Sequence, residues 1–294
     1  MGALSVWVKA ARPRTLPAAL APVAVGTALA AGPADQFDIL ILIATIIGAL
    51  FIQIGTNLSN DYSDARRGAD TEDRLGPVRV TAGGLVPPKY VLYATWASFA
   101  IAALAGVYLV VEAGWELLLV GAASIVAGVL YTGGPRPYGY EGLGEVFVFL
   151  FFGVVAVTGS FFVQTGELVW EAFALSVPVG LLACAVLMVN NIRDMDTDRR
   201  ANKRTLAVRL GRATMRRIYS LTLLISVLMI PVIWLASDLT AWINLAVASI
   251  VLVPPLARTI RNRTDGGALN KALGDTARLE LVFCVLLSVG LLLT

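Results

Sequence analysis

An all-α, polytopic transmembrane helical bundle is the fold class that this sequence predicts, and three observations predict it. Apolar residues make up 57 % of the 294-residue chain, charged residues only 15 %, and the mean hydropathy is +0.77. Such values lie far outside those of ordinary soluble domains. Apolar runs of about 20 residues, the length that crosses a bilayer as helix, recur from end to end. All 23 Lys and Arg fall in or beside alternate links between those runs, as the positive-inside rule asks of a multi-pass protein. Lipid satisfies no backbone donor or acceptor, so the runs are expected as helices, and no ten-residue alternation suggests a β-barrel.

The pattern predicts about nine helices. Lys9, Arg12 and Arg14 precede the first, at 15–32. The second, at 37–57, ends in an Asn/Asp cluster, and Arg66, Arg67, Arg74, Arg79 and Lys89 separate it from the third, at 90–111. The fourth spans 115–131, Arg136 follows it, and the fifth spans 145–165. The sixth, at 170–191, ends in a second Asn/Asp cluster, and Arg193 to Arg217 surround the link to the seventh, at 215–236. The eighth spans 239–257, and Arg258 to Arg278 lead into the ninth, at 276–293. The turns at 32–38, 112–115, 166–171 and 237–240 hold no Lys or Arg. The N-terminus and the long basic loops are therefore expected on the cytoplasmic side of the cell membrane, with those loops capping a site.

A single integral-membrane domain, 1–294, is expected, with signs of an internal duplication. Asn57-x3-Asp61-x2-Asp64 closes the second run and Asn190-x3-Asp194-x3-Asp198 the sixth. Each is followed by a basic-then-Thr element, Arg79-Val-Thr81 and Lys203-Arg204-Thr205. Two four-helix units, about 1–140 and 141–260, plus a ninth helix fit this offset. Composition excludes other chemistry. The chain has no His, which removes imidazole bases and His metal sites. Cys184 and Cys284 lie inside apolar runs and read as small core residues. No cleavable leader is expected. The net charge of +3 sits on one face, where it meets anionic lipid headgroups; nothing points to nucleic acid.

The two acidic clusters carry the chemistry. Together with Asp70, Glu72 and Asp73 they hold eight of the 20 acidic residues. A carboxylate costs about 2.5–3.5 kcal/mol at a bilayer centre, so paired clusters at the lipid boundary point to a function. Helical spacing puts Asn57, Asp61 and Asp64 on one face, and Asn190, Asp194 and Asp198 on another. Two such faces repel unless a cation lies between them. Carboxylate and amide oxygens are hard ligands that suit Mg²⁺, and Mg²⁺ completes its shell with water and phosphate oxygens. The expected ligand is a diphosphate at the cytoplasmic boundary, gripped by Arg and Lys, with an apolar tail running between the helices.

At these residues the chain resembles the UbiA superfamily of intramembrane aromatic prenyltransferases. That family carries Asn-Asp-x2-Asp-x3-Asp and Asp-x3-Asp motifs, which Asn60-Asp61-x2-Asp64 and Asp194-x3-Asp198 match. The fourth acid is displaced: Gly68 holds its place and Asp70 follows two residues later. That shift is similar to the branch that prenylates 1,4-dihydroxy-2-naphthoate in menaquinone biosynthesis. The same branch resembles Arg12-Pro-Arg-Thr-Leu-Pro17, Gly68-x-Asp70-x3-Arg74-x-Gly76-Pro77-x-Arg79, the run from Tyr131 to Glu145, and Asn190-Asn-x-Arg-Asp194. Where the family has Tyr-x3-Lys, Tyr131 is followed here by Pro135 and Arg136.

The resemblance implies transfer of a polyprenyl group from polyprenyl diphosphate to 1,4-dihydroxy-2-naphthoate, with loss of diphosphate and CO2. Asn57, Asn60, Asp61, Asp64, Asn190, Asp194 and Asp198 are the expected Mg²⁺ ligands. Asp61, Asp64, Asp194, Asp198 and Lys203 are the expected catalytic set. Arg74, Arg79, Tyr131, Arg136, Tyr138, Tyr140, Arg193 and Arg204 are the expected substrate contacts, with the tyrosines offering ring density to a cation-like allylic fragment. Another aromatic acceptor, such as a hydroxybenzoate, homogentisate or a tetrapyrrole, is the alternative within the family. A cation-coupled transporter is the alternative outside it, although transporter sites usually lie at the midplane on broken helices. A phosphatidyltransferase of the CDP-alcohol type needs an Asp-Gly-x2-Ala-Arg run, which this chain lacks.

Overall fold

The computed structural model describes residues 2–70 and 75–293, and every regular element among them is helical. α1 (Ala3–Ala11) turns through a 3₁₀ segment, Pro13–Thr15, into α2 (Pro17–Ala31). Then come α3 (Ile39–Arg66), α4 (Pro88–Ala113) and α5 (Glu116–Leu130). α6 (Gly144–Val148), a π-helical segment (Phe149–Val155) and α7 (Ala156–Thr165) form one continuous span. α8 (Trp170–Arg200) is followed by the short α9 (Leu206–Leu210) and by α10 (Arg212–Leu235). A 3₁₀ stretch, Ala241–Leu252, runs into α11 (Val253–Asn262), and α12 (Gly266–Leu292) comes last.

Each expected span coincides with helix, but nine is not the number that length and apolarity give. Among the described residues six helices are long and apolar enough to cross a bilayer, and a seventh is the pair Ser5–Thr15 and Pro17–Ala31, bent by 52°. Pro13 and Pro17 remove backbone donors at that bend, and Arg12 takes a left-handed φ of 54°. α5 is short at 15 residues. α12 carries Asp275, Arg278 and Glu280 near its middle, which dilutes its apolarity. The helix ends differ too. α3 continues to Arg66 and α8 to Arg200, past the expected ends at 57 and 191, so both acidic clusters ride on the last turns of helices.

That placement is electrostatically unfavourable on its own. A helix C-terminus carries roughly half a negative charge, so each nearby carboxylate costs about 0.3–1 kcal/mol unless a cation answers it. Arg66 closes α3, and Arg199 and Arg200 close α8, which offsets part of this cost. The remainder is met across the cavity described below.

α8 is the axis of the bundle. Of its most apolar stretch 78 % is buried, against 22 % for α3 and for α4. Leu175, Leu182 and Val189 of α8 pack with Leu223 of α10, Phe283 of α12 and Leu29 of α2 in one core. Such buried side chains each contribute about 1.5–3 kcal/mol by leaving water in a soluble protein, but within lipid the gain comes chiefly from close packing. α3, α4 and α5 pack mainly on one another, which leaves a gap between them and the α8 core.

Helices also approach closely where the π-helical segment meets α8. A Cβ built on Gly153 would lie 2.6 Å from the Gly180 Cα, so backbone meets backbone there. Gly153→Ala is therefore expected to destabilise the fold by about 1–3 kcal/mol, read as a lower Tm of the detergent-solubilised protein.

Candidate functional site

The gap between the two groups of helices is a cavity of about 570 Å³ lined by α2, α3, α4, α5, the α6–α7 span and α8. One end is acidic and basic. Asn57, Asn60 and Asp64 of α3, Asn190, Asp194 and Asp198 of α8, and Asp70, Arg79 and Lys203 of the loops line it. The other end is apolar, with Ile52, Leu109, Leu117, Phe151, Phe152 and Val155 among its walls. The cavity thus joins the two acidic clusters in one site, as the shared spacing predicts.

The α3 wall takes Gln53, Asn57, Asn60 and Asp64, spaced by four, three and four residues along one helical face. Asp61 is one step round the helix and does not line the cavity. This differs from the expected face of Asn57, Asp61 and Asp64, because adjacent residues on a helix point about 100° apart. Asp61 instead accepts the Val80 N–H at 3.0 Å and the Thr81 N–H at 2.9 Å, and it is 2 % exposed. Its job in this geometry is to hold the loop that carries Arg79. Asp61→Asn, which places an amide against one of those N–H groups, is expected to weaken prenyl-donor binding about tenfold. Donor KM measured against kcat checks it, with the larger change in KM.

Asp64 is the meeting point of the site. Only 1 % exposed, it accepts the Tyr140 hydroxyl at 2.9 Å and lies 3.5 Å from both Arg79 Nη2 and Lys203 Nζ. Arg79 also lies 3.6 Å from Asp70. Each such pair has a gross attraction on the order of 5 kcal/mol at an effective dielectric of about 20, while burying an ion costs several kcal/mol. The net is small, so these contacts are better suited to exchange with a ligand than to holding the fold. Burial, and then the Asp64 charge, push the Tyr140 hydroxyl above the ordinary phenol range. Because its folded pKa exceeds the unfolded one, its support for Asp64 is present through neutral pH and is lost only as pH rises past that range. Lys203 Nζ stands 4.8 Å from the Tyr140 ring centroid, a cation–π distance.

On α8, Asn190, Asp194 and Asp198 share the cavity wall at the expected spacing. Arg193 braces that wall. It donates to both Asp194 oxygens at 2.8 and 2.6 Å, to Asn190 Oδ1 at 2.7 Å and to Asn270 Oδ1 at 2.8 Å, and is 3 % exposed. Asn270 in turn donates to the Leu75 carbonyl at 2.8 Å. Arg193 is thus a clamp that orients Asp194 and ties α12 to the loop beyond residue 74, and it does not itself line the cavity.

The other expected contacts divide in the same way. Tyr131 and Tyr138 line the cavity, edge to face at 5.4 Å, and Tyr138 stacks on Phe147 at 3.9 Å. Tyr140 acts through its hydroxyl on Asp64 and does not line the cavity. Arg136 is exposed in the turn after α5 and Arg204 is exposed after α8, and neither lines the cavity. Arg204 contributes its backbone, whose N–H donates to the Tyr140 carbonyl at 2.9 Å. Arg74 lies outside the described residues. Asn57 does line the cavity, but its amide nitrogen donates to the Ala11 carbonyl at 3.0 Å and to Thr15 Oγ1 at 3.2 Å, which docks the N-terminal segment.

Contacts that the motifs do not reveal complete the site. Thr132 donates to Asn60 Oδ1 at 2.9 Å, and Arg67 donates to the carbonyls of Thr132 and Gly134. Buried Glu145 accepts from Asn191 at 2.9 Å, and Asn191 lines the cavity next to Asn190. Charge and spacing flag neither Thr132 nor Arg67, because both act on partners more than 60 residues away.

Among the described residues no three carboxylates form a ready-made metal cluster; the acids of each wall meet cations instead. The donor set is nevertheless all hard oxygen on two walls of one cavity, which fits Mg²⁺ far better than a soft or tetrahedral metal.

A multi-pass bundle with a cavity that is ionic at one end and apolar at the other has the shape and chemistry to hold an amphiphile between its helices. The UbiA prenyltransferase family matches residues 19–273, and the chain belongs to that family. It is 42 % identical over 287 residues to the 1,4-dihydroxy-2-naphthoate octaprenyltransferase of Mycobacterium tuberculosis, covering 97 % of this chain and 96 % of the relative. Proteins of the same name from Escherichia coli and Bacillus subtilis are 36 % and 34 % identical, covering 98 % and 96 % of this chain and 95 % and 91 % of theirs. Among solved structures, the apo form of a UbiA homolog from Aeropyrum pernix K1 matches with a TM-score of 0.71 at 15 % identity, covering 95 % of this chain and 97 % of that one. A UbiA homolog from Archaeoglobus fulgidus bound to GPP and Mg²⁺ matches with a TM-score of 0.66 at 14 % identity, covering 96 % and 99 %. At these identities the structures establish the shared fold.

Proposed function

We propose that this chain transfers a polyprenyl group from polyprenyl diphosphate to 1,4-dihydroxy-2-naphthoate, with loss of diphosphate and CO2, to give demethylmenaquinol. The observation that carries the reading is the cavity between the helices, whose ionic and apolar ends match the two halves of a prenyl diphosphate. The named activity of the relatives at 34–42 % identity over nearly the whole chain supports the same substrates.

In this reading Asp64, Asp194 and Asp198, with the amide oxygens of Asn60 and Asn190, would hold Mg²⁺. Bound there, the metal supplies positive charge that offsets the charge of the departing diphosphate. Arg79 and Lys203, already at the ionic end, turn from Asp64 to phosphate oxygens and stabilise the same developing charge. Tyr140 keeps Asp64 oriented, and Arg193 does so for Asp194. Tyr131 and Tyr138 face the allylic carbon as its bond to oxygen breaks, and their ring density favours its cationic character. The electron-rich naphthoate ring then forms the carbon–carbon bond. The ring–carboxylate bond breaks, and its electron pair returns to the ring, which restores aromaticity.

In this reading the basic loops put the N-terminus and the ionic end of the cavity on the cytoplasmic side. An acceptor competition tests the assignment. Purified protein with Mg²⁺ and octaprenyl diphosphate receives equal amounts of 1,4-dihydroxy-2-naphthoate, 4-hydroxybenzoate and homogentisate. The prenylated, decarboxylated naphthoquinol is expected to dominate the mass spectrum. A dominant product from another acceptor would move the chain to a different branch, and no product at all would end the prenyl-transfer reading.

A further inference from the structure

A glycine inside a helix costs roughly 1 kcal/mol relative to alanine, and in membrane helices the usual return is close helix approach. Gly153 and Gly180 show that return, since neither has room for a Cβ. Gly128 shows it as well, because a Cβ there would collide with Thr56. Four other helical glycines do not. A Cβ on Gly48, Gly106, Gly121 or Gly159 meets nothing within 4 Å, and all four line the cavity.

Their positions make them a set. Gly48 lies nine residues from the start of α3 and Gly106 seven from the end of α4. Gly121 lies five residues from the start of α5 and Gly159 six from the end of α7. At about 1.5 Å per residue, all four stand roughly 8–14 Å from the helix ends opposite the acidic clusters. Those ends are close in space. Asp38, capping α3, exchanges hydrogen bonds of 2.7 and 3.1 Å with Gln164 near the end of α7, and only Gly114 and Trp115 separate α4 from α5. Four helices therefore bring side-chain-free positions to one level of the cavity's apolar half. Along α3, Gly48 is sixteen residues from Asp64, about 24 Å at helical rise.

We infer that Gly48, Gly106, Gly121 and Gly159 decide how well long prenyl donors are used, by keeping the apolar end of the cavity open to the far isoprene units. This rests on the prenyl-transfer reading and adds to it the positions that decide donor specificity. A side chain placed at this level leaves the ionic end untouched and obstructs only donors long enough to reach it.

The test uses purified full-length protein with Mg²⁺, 1,4-dihydroxy-2-naphthoate and, in separate reactions, geranyl, geranylgeranyl or octaprenyl diphosphate. Gly48→Leu and Gly121→Leu are expected to lower kcat/KM for octaprenyl diphosphate about tenfold or more, while geranyl transfer changes less than about threefold. Gly48→Ala and Gly121→Ala, which keep the helices, are expected to shift the same ratio in the same direction by less. Gly274 on α12 also has open space around a Cβ but does not line the cavity, so Gly274→Leu is expected to keep the wild-type ratio. An unchanged octaprenyl-to-geranyl ratio in the Leu and Ala variants overturns the inference, as does equal loss of both donors. Wild-type protein that transfers none of the three donors fails the underlying reading instead, and that result needs no variant to see.

Discussion

Replacing Asp64 by asparagine is expected to lower kcat by about three orders of magnitude while leaving the protein folded. The substitution keeps the side chain's size and an oxygen for the Tyr140 hydroxyl, which now donates at 2.9 Å. What it removes is the charge that gathers Arg79 and Lys203, both at 3.5 Å, at the ionic end of the cavity. It also removes the one α3 carboxylate that lines the cavity opposite Asp194 and Asp198. Size-exclusion and thermal unfolding of the variant are expected to match wild type, because the ion pairs around Asp64 nearly balance their desolvation cost. Turnover within about tenfold of wild type would show that Asp64 does not handle the diphosphate.

Asp194→Ala has the second large effect, and it reaches both activity and stability. Arg193 is 3 % exposed and spends two of its four hydrogen bonds on the Asp194 carboxylate. Deleting Asp194 leaves a buried guanidinium with only amide oxygens, a loss of about 3–5 kcal/mol in comparable buried pairs. Activity falls as well, because Asp194 lines the α8 wall of the cavity. The double substitution Arg193→Met with Asp194→Leu separates the two effects. It removes the stranded charge, so Tm is expected to return most of the way to wild type while turnover stays absent. A double variant as unstable as Asp194→Ala would contradict the clamp, and one that regains turnover would remove Asp194 from the site.

Much of this was legible in the sequence because the bilayer is a severe solvent. It forces apolar runs to be helices, and the basic residues divide the links between them, so every expected span coincides with helix. The count was less legible. α5 is short, α12 is interrupted by Asp275, Arg278 and Glu280, and the first span is bent at Pro13 and Pro17. At the site, spacing correctly placed Asn190, Asp194 and Asp198 on one wall. It failed at Asp61, where a charge of the right type in the right motif points one helical step away and holds a loop. Arg193, Arg136 and Arg204 illustrate the same limit: sequence reports that a cation is near, whereas direction is decided by packing against Asn270, by a turn, or by solvent. Thr132 and Arg67 were invisible because their partners are joined only by the fold.

Both acidic walls and the apolar trough are proposed to serve one reaction, so its three products must appear together. Purified protein is given Mg²⁺, octaprenyl diphosphate and carboxyl-labelled 1,4-dihydroxy-2-naphthoate, and labelled CO2, diphosphate and prenylated naphthoquinol are measured over time. Equal amounts of all three are expected at every time point, and none when either substrate is left out. Diphosphate released without CO2 and prenylated ring, or a prenylated product that keeps its carboxyl group, would separate the walls from a single reaction.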